Sequence, residues 1–362
     1  MEKKYQAVTA AIRGWIADGQ YGDDAQLPTE SALMQQFAVS RHTIRKALAE
    51  LEAAAWVYRV QGAGSFVTPK AKRGAGQPAQ GTVAVIATYL NDYIFPAIIE
   101  GVEQTLSASG VALMLASTRN DPALEAQTLA RFLANPVSGL IIEPSQSAFE
   151  LANRDGYRKL LEAGVPMLTI NARAADLPVP ALVMDDAAGG RLATEYVLAR
   201  HHRRLLGVFK TDDQQGIDRM NGFVTALQRM SGSTAASLVT YRTETAPATL
   251  EAQLTAVLAR PDRPTAVVCY NDTVALRVAT VAQGLGLTVP ADLSLIGFDN
   301  AGLATATGEQ LTSIDHPKAQ MGQDAAAMML SMLAAAPKAA LPQSRVYAPV
   351  VVPGDTVRDL AE

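Results

Sequence analysis

Thr29-Glu30-Ser31-Ala32-Leu33-Met34-Gln35-Gln36-Phe37, then Ala38-Val39-Ser40, then Arg41-His42-Thr43-Ile44-Arg45-Lys46-Ala47-Leu48-Ala49-Glu50-Leu51 run on without a break. Thr29 follows Pro28 and suits the N-cap of one helix, the three middle residues suit a tight turn, and Ser40 suits the N-cap of a second helix. This order predicts a helix-turn-helix. In the second helix Ile44, Leu48 and Leu51 share a face that can enter a core. Arg41, His42, Thr43 and Arg45 are left at its amino end, the part of such helices that meets base edges in the major groove. Arginine is the natural bidentate partner of guanine, and threonine can take a phosphate or a thymine methyl. A solvated helix face is the ordinary meaning of a basic cluster, but the next segment favours more. Trp56-Val57-Tyr58-Arg59-Val60, the turn Gln61-Gly62-Ala63-Gly64 and Ser65-Phe66-Val67-Thr68 predict a hairpin wing. Its glycines let backbone approach a phosphate or the minor groove closely, with Gln61 at the tip.

At 362 residues the chain has room for two or three compact units. Residues 70–81, Lys70-Ala71-Lys72-Arg73-Gly74-Ala75-Gly76-Gln77-Pro78-Ala79-Gln80-Gly81, lack any apolar period and predict a linker. The expected division is therefore 1–69, linker 70–81, and 82–362. The net charge of −4 is unevenly spread: residues 1–73 carry 10 Lys/Arg against 7 Asp/Glu, and the remainder 21 against 28. Only the front is suited to a polyanion. No stretch approaches the roughly 20 apolar residues of a membrane span, and Met1-Glu2-Lys3-Lys4-Tyr5-Gln6 leads into an amphipathic pattern. A cytoplasmic protein with no membrane partner is expected. One cysteine allows no internal disulfide, and Cys269, within Thr265-Ala266-Val267-Val268-Cys269-Tyr270, suits a packed strand.

Behind the linker, short apolar runs at Val83–Thr88, Val111–Ser117, Gly139–Ile142, Met167–Ile170, Leu205–Phe209, Ala266–Tyr270 and Leu293–Gly297 alternate with helical stripes such as Ile98, Val102 and Leu106. A second stripe is Leu192, Tyr196 and Val197. Alternation of this kind predicts parallel sheets with right-handed crossovers, and the length suits two α/β lobes. Ligands of such sheets bind beyond the carboxyl ends of the strands. Polar residues cluster there: Asn91-Asp92-Tyr93-Ile94-Phe95, Glu143, Asn171, Lys210 with Asp212 and Asp213, Asp218-Arg219, Asn271-Asp272 and Phe298-Asp299-Asn300. Any one alone suits a cap or turn, and Asp272 suits the cap of the helix through Leu276. Together they suit a cleft for a hydroxyl-rich ligand, which needs paired donors and acceptors.

Leu27-Pro28-Thr29-Glu30, Val39-Ser40-Arg41-His42-Thr43-Ile44-Arg45 and Tyr58-Arg59-Val60-Gln61-Gly62-Ala63-Gly64-Ser65-Phe66-Val67 make residues 3–69 resemble the GntR-type winged helix. The resemblance implies operator DNA as partner, with contacts from Arg41, Arg45 and Thr43, from the wing at Gln61, Gly62 and Gly64, and from Lys4 and Glu30, a capping role being the alternative for Glu30. Phe95-Pro96-Ala97-Ile98-Ile99-Glu100-Gly101, Arg219-Met220-Asn221-Gly222-Phe223, Tyr270-Asn271-Asp272 and Leu293-Ser294-Leu295-Ile296-Gly297-Phe298-Asp299 make residues 82–355 resemble the LacI/GalR effector domain, a periplasmic-binding-protein-like fold of two Rossmann-like lobes. Carried over by motif, Phe95, Asn171, Arg219, Asn271 and Asp299 fall at ligand-contacting positions, followed by Tyr93, Glu143 and Lys210. Such a head on such a body resembles the arabinose-responsive repressors, which implies L-arabinose as effector, a homodimer, and no cofactor; the alternative is the same architecture responding to a different sugar or small metabolite. A LacI-type hinge helix has no counterpart, because Gly74–Gly81 is unsuited to one.

The rival class is a nicotinamide-dependent enzyme. Val83-Ala84-Val85-Ile86-Ala87-Thr88-Tyr89-Leu90 is followed by no Gly-x-Gly-x-x-Gly turn, so the phosphate cradle is missing. His42, His201, His202 and His316 form no metal-ligand spacing, and His201-His202 before Arg203-Arg204 suits an exposed loop.

Overall fold

The computed structural model describes residues 4–53, 56–60, 64–68, 81–90, 94–174, 176–230, 234–336 and 339–361. Its N-terminal unit is built from α1 (Lys4–Ala17), α2 (Glu30–Phe37), α3 (Arg41–Ala53), β1 (Val57–Val60) and β2 (Gly64–Val67). Thr29 caps α2, its Oγ1 accepting from the Ala32 amide at 3.2 Å, and the helix stops where Ala38 turns left-handed at φ 50°. Ser40 Oγ accepts from the Thr43 amide at 3.3 Å and so opens α3. Ile12, Leu33, Ile44, Leu48, Leu51, Val57 and Val67 are buried together and hold the three helices to the hairpin. The hairpin is antiparallel, with Val60 opposite Gly64. Its outer edge is joined by Ala25–Leu27, whose backbone bonds to Ser65 and Val67 at 2.8 Å make a short third strand that the sequence pattern did not suggest.

A larger unit begins at Gly81. In chain order it contains β3 (Thr82–Ala87), α4 (Phe95–Ala108), β4 (Ala112–Ser117), α5 (Pro122–Ala134), β5 (Gly139–Ile142), α6 (Arg154–Glu162), β6 (Met167–Ile170) and β7 (Ala181–Met184). Next come α7 (Asp186–Leu198), β8 (Arg204–Lys210), α8 (Gln214–Arg229), β9 (Ala235–Tyr241), α9 (Pro247–Leu258), β10 (Ala266–Cys269), α10 (Asp272–Gly284), β11 (Ser294–Asp299) and β12 (Thr312–Asp315). The chain closes with α11 (Lys318–Ala334), β13 (Arg345–Tyr347) and β14 (Val351–Val352). One sheet has the order β13-β7-β6-β5-β3-β4 and the other β14-β12-β11-β10-β8-β9. Every pairing is parallel except β12 with β14. This is the doubly wound, two-lobed α/β plan expected from the alternation of runs. Central strands β5, β6, β10 and β11 are buried along their whole length, which is why each reads as an unbroken apolar run.

The chain crosses between lobes three times, after β7, after β12 and after β13. The crossings lie side by side, tied by the Asp185 amide to the Tyr347 carbonyl at 2.9 Å and the Asp315 amide to the Val350 carbonyl at 2.8 Å. Two local expectations are corrected. His202 is fully buried, its ring bonded to Thr265 Oγ1 at 2.9 Å and the Arg358 carbonyl at 3.1 Å, because the C-terminal segment covers it. Asn271, not Asp272, caps α10, accepting from the Val274 amide at 2.9 Å. Among the described residues no helix is long and apolar enough to cross a membrane.

Candidate functional site

Between the lobes, at the carboxyl ends of both sheets, lies a cavity of about 310 Å³. Phe95 and Glu143 line it from the first lobe, and Lys210, Arg219, Asn271 and Asp299 from the second. Arg219 is nearly inaccessible and held from three directions. Its Nε donates to Asp186 Oδ1 at 2.8 Å, one Nη donates to the Tyr270 carbonyl at 2.7 Å, and the other reaches Asp299 Oδ1 only at 3.5 Å. The Phe298 ring, with its centroid 3.5 Å from the guanidinium carbon, fixes the plane of the group. A guanidinium has five N–H bonds, so this cradle leaves donors for a ligand. Burial opposes the charge, but Asp186 and Asp299 outweigh it and hold Arg219 above the ordinary arginine range. Burial also raises the Asp186 carboxyl to about 7 against the pull of Arg219.

Lys210 sits at the end of β8 with Asp213 Oδ2 at 3.0 Å and Asp212 Oδ1 at 3.5 Å. Burial alone would lower its ammonium; the two aspartates reverse the effect. The Tyr270 hydroxyl donates to the same Asp213 oxygen at 2.8 Å. On the other wall Glu143 accepts from the Thr88 amide at 3.1 Å, from the Thr88 hydroxyl, and from Asn171 Nδ2 at 3.0 Å. Desolvation raises its pKa despite these donors. Lys210, Arg219, Arg242 and Arg277 thus line the cavity together with Glu143, Asp213 and Asp299, and the rings of Tyr89, Phe95, Tyr241 and Tyr270 complete its walls. A neutral polyol can donate to each carboxylate and accept from each cation.

Asn171 stands apart from the other predicted residues. It takes φ 62°, is buried, and lies behind Glu143 and beside His316 Nε2 (3.3 Å) rather than on the cavity wall. Tyr93 lies outside the described residues. Asp213, one of the polar strand-end residues read from the sequence, lines the cavity, as do Thr88, Gln215 and Tyr270, which lay outside that set. Thr88 and Tyr270 obey the same strand-end rule.

On the N-terminal unit, Arg41, His42 and Arg45 project from the amino end of α3 and are exposed, while Thr43 is half-buried with its hydroxyl 2.9 Å from that of Ser40. Glu30 leaves capping to Thr29. Its carboxylate accepts from Arg45 Nε at 3.1 Å and 3.2 Å and lies 3.8 Å from Arg41 Nε, so one acid aligns both arginines before any partner arrives. These pairs are solvent-exposed and therefore weak, which lets a phosphate or guanine displace the carboxylate. Gly64 opens β2 at φ 114°, a conformation favouring glycine. Gln61, Gly62 and the Lys4 side chain lie outside the described residues.

Two protein families match the chain: bacterial regulatory proteins of the gntR family over residues 4–67, and the periplasmic binding protein-like domain over residues 194–357. An arabinose metabolism transcriptional repressor of Geobacillus stearothermophilus is 43% identical over 91% of this chain and 91% of its own length. Another, of Halalkalibacterium halodurans, is 38% identical over 92% and 90%. The crystal structure of a LacI family transcriptional regulator of Enterococcus faecium with bound ribose superposes with a TM-score of 0.64 at 21% identity, covering 77% of this chain and 99% of that one.

Proposed function

The chain belongs to the family of arabinose metabolism transcriptional repressors, a gntR-type head on a LacI-type effector body, and from that premise we propose that L-arabinose, bound between its lobes, releases it from operator DNA. The chain is a repressor and not an enzyme. The observation that carries the effector reading is the enclosed cavity in which Arg219 and Lys210 oppose Glu143, Asp213 and Asp299. Its size is at the lower end of small-molecule sites and suits a monosaccharide. Asn171 supports the site by orienting Glu143. Arg41 and Arg45 contact bases or phosphates, with His42 and Thr43 beside them, and Glu30 orients the two arginines. Lys4, Gln61, Gly62, Gly64 and Tyr93 keep the roles the resemblance implies. Residues 1–69 form the DNA-binding part, 70–81 a linker and 82–362 the effector part, acting in the cytoplasm.

A homodimer on a pseudo-palindromic operator suits the two sheet edges. Met114 and Leu115 on edge strand β4 and Leu238 on edge strand β9 are each more than 40% exposed, and an uncovered edge of this kind favours pairing with a second copy. The thermodynamic requirement is simple. Sugar must bind the DNA-incompetent arrangement more tightly than the competent one, since equal affinity for both shifts nothing.

The test uses a duplex that the immobilised full chain selects from genomic fragments. L-arabinose is expected to weaken its retention by about 5- to 150-fold, whereas Arg219→Ala keeps the duplex and ignores the sugar. Retention unchanged by L-arabinose removes the effector claim, and release by another sugar alone transfers the site to that sugar.

A further inference from the structure

At the sheet edges opposite the three chain crossings, the lobes are joined by direct side-chain contacts. Asn120, in the loop between β4 and α5, donates from Nδ2 to Thr243 Oγ1 at 2.8 Å and to Asp212 Oδ2 at 3.2 Å. Its Oδ1 accepts from the Gln146 amide at 2.6 Å. Asp212 Oδ2 also accepts from the Thr243 amide at 2.8 Å. Nearby, Ser147 Oγ of the first lobe accepts from the amide of Gln214, the first residue of α8, at 3.0 Å. Asn120 and Asp212 are almost wholly buried.

Asn120 borders the cavity, yet both amide hydrogens and its carbonyl are committed to protein partners. It therefore has no donor left for a sugar hydroxyl. Its backbone, like that of Arg119 and Gln146, is left-handed, with φ 58°, 53° and 48°. Non-glycine residues keep such conformations where surrounding contacts over-determine them, as ligand clamps do.

Resting on the reading of the cleft as a sugar site, we infer that Asn120 is a positioning residue for sugar capture: with Thr243 and Asp212 it forms a clasp that closes the lobes over the ligand. These bonds raise the share of sugar-free molecules whose lobes are closed, and a sugar that binds that state gains the same factor in measured affinity. Asn120 acts through the protein, and its loss weakens binding without removing a sugar contact.

Calorimetric titration of the full chain with L-arabinose tests this in a double-mutant cycle. Asn120→Ala is expected to weaken binding roughly tenfold and Thr243→Val by less, while Thr243→Ser, which keeps the hydroxyl, stays near wild type. Because the two residues act as a pair, the double variant should be no weaker than Asn120→Ala alone. Wild-type affinity in Asn120→Ala, or single-variant factors that multiply in the double, overturns the clasp. Thr243→Val against Thr243→Ser decides the matter if Asn120→Ala fails to fold. A wild type that binds no L-arabinose overturns the sugar reading instead. Small-angle X-ray scattering of the sugar-free proteins then judges the clasp by itself: it predicts a larger radius of gyration for Thr243→Val than for wild type, and identical curves count against it.

Discussion

At the scale of single residues, the effector body stores polar and charged groups in places where water does not reach. His316 lies at the second crossing between lobes, with Nε2 3.3 Å from Asn171 Oδ1 and Nδ1 buried with no hydrogen-bond partner among the described residues. Burial lowers its pKa to about 4. An unfolded histidine titrates near 6.5. Between those values the unfolded chain binds a proton that the folded chain refuses, so the His316 contribution is complete above about pH 6.5 and is lost as pH falls towards 4. Asp186 and Asp272, both raised to about 7 by burial, act in the opposite sense: the folded chain holds protons there that an unfolded aspartate releases near 4. Comparing wild type with His316→Gln cancels their effect. Urea unfolding at pH 7 and pH 5 should show the wild type losing about 2 kcal/mol more than the variant over that interval, and equal losses would mean that the ring is not held neutral. Among the site residues, Arg219 was legible because its motif and its strand-end context agree. Asn120 was not, because an asparagine between Arg119 and Asp121 reads as an ordinary turn until the opposite lobe is in place.

At the scale of elements, each lobe is locked by a pair of helices that approach through glycine. In the first lobe a Cβ at Gly101 of α4 would overlap the Ala319 carbonyl of α11, and one at Gly322 of α11 would overlap the Ile98 carbonyl of α4. In the second lobe a Cβ at Gly190 of α7 would overlap the Arg219 carbonyl of α8, and one at Gly222 of α8 the Ala187 carbonyl of α7. One helix of each pair, α7 or α11, is the first element after a chain crossing, so these contacts anchor the crossings. Gly222→Ala should destabilise the fold by about 1–3 kcal/mol, the usual effect of overpacking. Gly14→Ala in α1, where no atom of the described residues lies within 4 Å of the added Cβ, should leave stability unchanged or raise it by about 0.5–1 kcal/mol. Thermal unfolding separates them, and equal midpoints would deny the close approach. The seven strands expected from apolar runs are present within a residue or two. Those missed are β7, β9, β12, β13 and β14. Residues 235–238 of β9 are exposed and β13 and β14 span three and two residues, so none of these gives a buried run; β7 follows directly on Pro178-Val179-Pro180, and β12, Thr312-Ser313-Ile314-Asp315, has one apolar residue in four. Glycine packing was invisible in the sequence, since a helical glycine looks alike whether a neighbour's carbonyl or water faces it.

At the scale of the molecule, the charge asymmetry and the change of composition at residues 70–81 made the two-part plan legible, and the alternation of strand and helix made the cleft legible. Which atoms face each other across that cleft depends on two lobes built from interleaved segments, and no local pattern encodes it. The central claim joins the two parts: sugar in the cleft and DNA on the head compete for the same population of molecules. Linkage makes this claim reciprocal, because the factor by which L-arabinose weakens operator binding must equal the factor by which operator weakens L-arabinose binding. Calorimetric titration of L-arabinose into the full chain, alone and saturated with its selected duplex, measures that factor directly. The account predicts a sugar Kd about 5- to 150-fold weaker in the DNA complex. The same Kd with and without DNA would contradict it.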